Sequence, residues 1–298
     1  MTFKLGKYTI IPAILIVSLF STAQAQGKVN VITKTIKKEL KSTSKTLVIK
    51  GEKSTINISS GDKDYFQVEI KLISKNTNQK QAETDINIIK YESTENANEY
   101  VLRNYFASDK YGNVKSNLSV VFNIKIPKNS KLDISNIYGN VYLSNFNSET
   151  KLKNSFGEIH ISNISGEMDL NAYYSDTWVN NINLALLCNT DKSDLEMMNA
   201  SGNIVIKSNY GNIQFSPGKS LKKLEIESKR TTITFECETL KAYNYGLATS
   251  FSTIILPNKW EKDIKKLNGI AQFNQINNSN NPIIKIQTTY CQIAIKNQ

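Results

Sequence analysis

The chain is poor in the residues that most often carry chemistry. It has one histidine, His160, two arginines, Arg103 and Arg230, three cysteines and five prolines in 298 residues. A single histidine excludes a multi-histidine metal centre and leaves little material for imidazole acid–base work. No metal site and no cofactor are expected. Cys188, Cys237 and Cys291 form an odd set without a repeated spacing. That is not a disulfide framework, and the three are read as small, mostly buried hydrophobes. There is no P-loop, dinucleotide fingerprint or nucleophile elbow. Basic residues outnumber acidic ones 37 to 26, for a net charge of +11. The lysines are dispersed and arginine is nearly absent, so nucleic acid is not the expected partner. Attraction to anionic envelope polymers fits the charge better.

Asparagine, by contrast, is plentiful, at 36 residues. The first 25 residues read as a secretory leader. Lys4 and Lys7 precede an apolar run from Ile10 to Phe20, and Ala23-Gln24-Ala25 matches the small-x-small cleavage pattern. Gln26 becomes the new N-terminus. No cysteine stands there for lipid attachment, and no second apolar stretch of membrane-spanning length follows. The chain is therefore expected to be exported, to the periplasm, the outer cell surface or the medium.

Between 136 and 225 the sequence repeats every 18 residues without a gap. In register, one column reads Tyr138, Phe156, Tyr174, Lys192, Tyr210, and the next Gly139, Gly157, Ser175, Ser193, Gly211, which is turn chemistry. A third reads Asn140, Glu158, Asp176, Asp194, Asn212. Period-two alternation follows each turn. Val141, Ile159, Thr177, Leu195 and Ile213 form one buried column, with Leu143, Ile161, Val179, Met197 and Phe215 beside it. A second strand in each unit places Cys188 in an aliphatic column between Leu170 and Ile206. Asn145, Asn163, Asn181 and Asn199 also align, as an amide ladder would. Two short strands per 18 residues leave no room for a helix. They predict one coil of a parallel β-solenoid, each coil advancing ~4.8 Å. Ile233–Phe235, Ile254–Leu256 and Ile293–Ile295 look like later copies of the first strand.

The fold class expected is all-β, with N-terminal antiparallel strands followed by this solenoid. The organisation is a leader over 1–25, a β-rich domain over 26–128 and the solenoid over 129–298. Strands are expected at 46–50, 54–59, 66–73, 86–91, 100–104 and 118–126, with a polar loop or single helical turn over 76–85. A helix is expected over 259–267. Asn258 and Glu261 make a plausible capping pair, Gly269 a stop, and Trp260, Ile264 and Leu267 one apolar face.

A leader, a strand-rich segment containing Lys125-Ile126-Pro127-Lys128, and repeats of the Tyr138-Gly139-Asn140-Val141 and Phe156-Gly157-Glu158-Ile159-His160-Ile161 kind resemble the bacterial putative-adhesin family of exported β-solenoid proteins. Lys192 and Ser193 depart from its aromatic-glycine pattern. The resemblance implies an envelope or surface location and carries over no catalytic residues. Two classes of function follow. The first is a non-enzymatic adhesin or cell-envelope binding or structural module, its partner a glycan, an envelope polymer or a surface protein. The alternative is a polysaccharide hydrolase or lyase, for which Glu158, Asp176 and Asp194 are the carboxylates available, stacked about 5 Å apart. Acidic residues after a turn are also favoured for backbone reasons alone. The ligand-binding candidates are Tyr142, His160 and Trp178, which share one outward position on adjacent coils and should form an aromatic strip with neighbours ~4.8 Å apart.

Overall fold

The computed structural model describes residues 28–41, 45–107 and 114–297. The leader read over 1–25 lies outside the described residues. The chain is all-β. The strands are β1 (Asn30–Leu40), β2 (Thr46–Glu52), β3 (Ser54–Ser60), β4 (Phe66–Asn76), β5 (Ile89–Glu95), β6 (Glu99–Phe106), β7 (Asn117–Ile126) and β8 (Ser130–Ile137). Then come β9 (Val141–Asp191), β10 (Leu195–Cys237), β11 (Asn244–Ser250), β12 (Ile254–Ile255), β13 (Lys265–Leu267), β14 (Ile270–Gln275), β15 (Ile283–Thr289) and β16 (Ile293–Asn297). Two helices interrupt them, α1 (Gln79–Asp85) and α2 (Asn258–Glu261). All 16 strands belong to one open sheet whose main path ends at β1 and β13.

A run as long as β9 cannot be straight, because 51 extended residues would span about 170 Å. It turns at residues with left-handed backbone. These recur in two columns, Tyr138, Phe156, Tyr174, Lys192, Tyr210 and Asn145, Asn163, Asn181, Asn199. The pairings around the run are parallel and offset by 18 residues, as in Leu132↔Thr150 between β8 and β9 and Leu195↔Thr177 between β9 and β10. The expected core columns are buried, among them Val141, Ile159, Thr177, Leu195 and Ile213. The left-handed residue at the first turn is the one before the glycine column, Tyr138, Phe156, Tyr174, Lys192 or Tyr210; at Gly211 the glycine after it has positive φ as well, 144°. At Gly157 the glycine is needed for close approach, since a Cβ there would collide with the carbonyl of Gly139 one layer away.

The N-terminal strands are not simply antiparallel, as the alternation alone suggested. β1 pairs β4, β4 pairs β7 and β5 pairs β6 antiparallel. β2 pairs β6 and β8, and β3 pairs β7 and β9, all in parallel. The reason is the turn at Lys53, itself left-handed, whose N–H donates to the carbonyl of Ile137. It makes β2 and β3 copy the two strands of the later layers. The segment read as polar loop or single turn contains α1, where Asn78 accepts from the Gln81 N–H as N-cap. Residues 86–88, expected as strand, form a 3-10 turn.

The helix expected over 259–267 is shorter. α2 ends at Glu261, is preceded by Pro257 without a side-chain cap, and Lys265–Leu267 is strand β13. The decisive signal is Asn268-Gly269. Both residues have positive φ, 50° and 76°, and Leu267 pairs Ile270 across them. Asn-Gly between strands is the strongest short hairpin signature, and here it closes β13 onto β14 rather than stopping a helix. Trp260 is nonetheless buried against Tyr245 and Phe273, with ring centroids 5.5 Å from each. Leu267, expected on the same face, is 73% exposed.

The cysteines are unbridged. Cys188 is fully enclosed in the Leu170–Ile206 column, and burial pushes its thiol up to about 12. Cys291 is only half-buried. A thiolate-selective reagent should therefore modify the native protein at Cys291 first and reach Cys188 only on unfolding. Thiol titration before and after denaturant checks this. Rapid native labelling of Cys188 would contradict the packing.

Candidate binding faces

The three candidate residues do form one strip. Tyr142, His160 and Trp178 stack with centroids 4.8 Å apart at both steps and planes within 8° and 11° of parallel. The turn column holds their tips. Asn140 Nδ2 donates to the Tyr142 hydroxyl at 3.3 Å, and His160 Nε2 lies 3.1 Å from Glu158 Oε2. Parallel stacking has a consequence for what the strip offers. The inner ring faces lie against one another, so solvent meets ring edges along its length. Flat faces remain only at the two ends. Tyr142 turns one toward Asn57, its partner on β3, and Trp178 turns one toward Glu196, its partner on β10.

A second column, the Tyr138 column of the repeat, is longer and stacks along the turn. Tyr138 stacks on Phe156 at 5.1 Å and Phe156 on Tyr174 at 5.0 Å. Lys192 lies 4.8 Å above the Tyr174 ring and bonds its hydroxyl at 2.6 Å. Arg230 covers both Tyr210 and Tyr290, at 5.1 and 5.8 Å, and Tyr290 stacks on Phe251 at 5.3 Å. Every one of these residues has left-handed backbone. That conformation costs a side-chain-bearing residue roughly 1–2 kcal/mol. An offset-stacked ring pair returns about 0.5–1.5 kcal/mol, so each contact offsets much of its neighbour's strain. Aromatic residues are not enriched at positive φ, so no propensity scale marks this corner. The Lys192 and Ser193 departures preserve it, because a cation replaces a ring in the stack.

The carboxylates of the enzyme alternative have structural partners. Asp176 Oδ1 accepts the Asp194 N–H at 3.0 Å, and Asp194 Oδ1 accepts the Asn212 N–H at 2.8 Å. Asn140 Oδ1 does the same for the Glu158 N–H at 3.0 Å. These side-chain-to-backbone bonds tie neighbouring turns together, as Asx turns do within one turn. Among the described residues no group of three or more His, Cys, Asp or Glu is arranged to hold a metal ion. No helix among them is long and apolar enough to cross a membrane.

With this geometry in place, comparison with known proteins gives one decisive match. Residues 44–295 match the Toastrack DUF4097 family. The chain belongs to the Toastrack DUF4097 family. No curated protein matches it significantly. Among solved structures, this Toastrack chain is similar to a putative adhesin from Bacteroides fragilis, at 11% identity and a TM-score of 0.41, over 89% of this chain and 97% of the other. It is also similar to a putative adhesin from Parabacteroides merdae, at 13% and 0.38, over 91% and 97%. A putative cell adhesion protein from Clostridium sporogenes gives 13% and 0.29, over 91% and 100%.

Proposed function

We propose that this chain winds as a parallel β-solenoid of 18-residue coils and acts outside the cytoplasm as a non-enzymatic binding protein of the cell envelope, contacting a glycan, an envelope polymer or a surface protein. The offset of 18 in the parallel pairings and the two left-handed columns support the winding. The leader-like residues 1–25 support export. The observation that carries the choice of binding over catalysis is the hydrogen bonding of the acidic column. Asp176 and Asp194 hold the backbone of adjacent layers together, which accounts for their alignment without a substrate. The outward aromatic columns, in contrast, carry stacked apolar edges and cations along a rigid frame.

The test uses the full chain lacking the leader. It is mixed with isolated envelope material and, separately, with soluble polysaccharides, and both co-sedimentation and released reducing ends are measured. Sedimentation with envelope material and no reducing ends above the blank is the expected result. Saccharide cleavage abolished by Asp176→Asn would establish the enzyme alternative. Failure to sediment with any fraction would remove the binding reading.

A further inference from the structure

We propose that a groove on the outer face of the N-terminal strands, ending at the free ring face of Tyr142, is a subsite for a carboxylated saccharide. The inference rests on the binding function proposed above and names its ligand class. Two complete rows of side chains cross β1, β4, β7 and β3. One reads Lys37, Glu69, Asn123, Asn57, and the other Glu39, Gln67, Lys125, Ser59. Together they floor a groove of about 710 Å³, a volume in the range of small-ligand sites. The first row continues in register from Asn57 to Tyr142 and so into the aromatic strip. His160 covers the other face of that ring. The remaining face of Tyr142 therefore looks along the row, over the much shorter Asn57 side chain, toward the groove.

The chemistry of the floor selects the ligand. Amides and a hydroxyl supply donors and acceptors together, which suits vicinal hydroxyl groups. They are held in one chain of bonds. Asn57 Nδ2 donates to Asn123 Oδ1 at 2.8 Å, and Asn123 Nδ2 donates to Glu69 Oε1 at 3.0 Å. Their orientation is thus set before a ligand arrives. The carboxylate of Glu69 is already matched by Lys71 at 3.0 Å, and these bonds hold it below the usual carboxylate range. Lys125 bonds only a neutral partner, Ser59 Oγ, at 2.7 Å. Lys37, in the first row, lies 4.0 Å from Glu69, and Glu39, in the second, accepts from the Tyr65 hydroxyl at 3.4 Å, so the cations and carboxylates of the two rows balance and Lys125 is the cation left to meet an acid. A sugar ring set against the Tyr142 face would place its hydroxyls over Asn57 and Asn123 and a carboxylate toward Lys125. Aromatic faces favour the CH side of a sugar as they favour other weakly polarised C–H groups.

The experiment titrates the full chain lacking the leader with a uronic-acid oligosaccharide, a neutral oligosaccharide of equal length and inorganic polyphosphate. The uronate should bind best. Lys125→Gln, an exposed change that leaves the sheet pairing untouched, should weaken it about tenfold, the scale of one charge-assisted hydrogen bond. Tyr142→Ala should weaken it by a similar factor, and Leu267→Ala, an exposed change on β13 at the opposite end of the sheet from β1, should leave it unchanged. Equal binding of the neutral sugar would overturn the carboxylate assignment. Polyphosphate binding as well as the uronate, with no effect of Tyr142→Ala, would show a lysine patch and overturn the subsite. If envelope binding persists but the uronate does not bind, the groove is wrong and the binding function stands. If neither binds, both fall.

Discussion

Replacing Phe235 by alanine should destabilise the C-terminal part of the protein by about 3–5 kcal/mol, the usual range for removing a fully buried phenylalanine. Phe235 has no exposed surface. It stacks on Phe215 at 5.9 Å and meets Tyr243 and Tyr245 edge-on at 5.5 and 6.3 Å. Tyr245 in turn carries Trp260 and Phe273. The residue therefore joins the last regular layer to the aromatic cluster that closes the end of the stack. A loss of this size is a large part of ordinary domain stability, which is about 5–15 kcal/mol. In the solenoid proposed above, the loss is felt by adjacent coils first. The chain has two tryptophans, and they report on separate places. Trp260 sits in the C-terminal cluster, and Trp178 lies in the exposed strip. Denaturant unfolding followed with each tryptophan alone should show the Trp260 transition moved to lower denaturant in Phe235→Ala, with the Trp178 transition shifted less. A change under about 1 kcal/mol in both would mean that the cluster relaxes around the cavity and does not hold the end together.

Phe235 also marks where the sequence stops being readable. Up to residue 225 a constant period of 18 aligns each column, and the buried sets follow from alternation alone. Beyond it, chain order and stacking order part. β16 pairs directly onto β10, and the earlier segment β12 pairs outside β16. Likewise β15 lies between β10 and β11. The copies at 254–256 and 293–295 were visible as strands, but a linear alignment cannot show that the later one inserts first. β1 was missed for a different reason. Ile32, Ile36 and Leu40 are its half-buried contacts, four residues apart, and three lysines, two threonines and a glutamate fill the positions between. That spacing is not the period-two signature of a strand, and lysine on an edge strand blocks further pairing rather than marking a core.

The candidate site divides in the same way. The strip at Tyr142, His160 and Trp178 was legible because one repeat position carries it. What its rings face was not, since stacking geometry is a property of the pairing and not of spacing. The groove beside Tyr142 draws on residues near 37, 57, 67 and 123, from strands paired partly parallel and partly antiparallel. No period connects them. The turn column of Tyr138 and its successors aligns in the sequence, but nothing in its residue types marks its backbone as left-handed. At Gly139 and Gly157 the glycine is fixed by carbonyls of the adjacent layer, a contact that exists only once layers stack.

The asparagine column allows conformation and hydrogen bonding to be separated by experiment. Asn181 Nδ2 donates to Asn163 Oδ1 at 2.6 Å, and its own Oδ1 accepts from Asn199 Nδ2 at 2.9 Å. Its φ is 54°, in the left-handed region that asparagine tolerates better than most side chains do. Asn181→Ala removes both ladder bonds, worth about 0.5–1.5 kcal/mol each, and places an alanine where it is strained. The column is exposed, so water takes up the freed groups at Asn163 and Asn199 and limits the cost of leaving them unpaired. The expected loss is about 2–3 kcal/mol. Asn181→Gly removes the same bonds but adopts the left-handed backbone without strain, at the cost of a more flexible unfolded chain. It should lose about 1 kcal/mol less than the alanine variant. Urea unfolding of the three proteins gives both differences. Equal losses would assign the column's role to the amide ladder alone. A glycine variant as stable as the parent would assign it to backbone conformation, and the run of stacked amides would then be a consequence of which residue best accepts that turn.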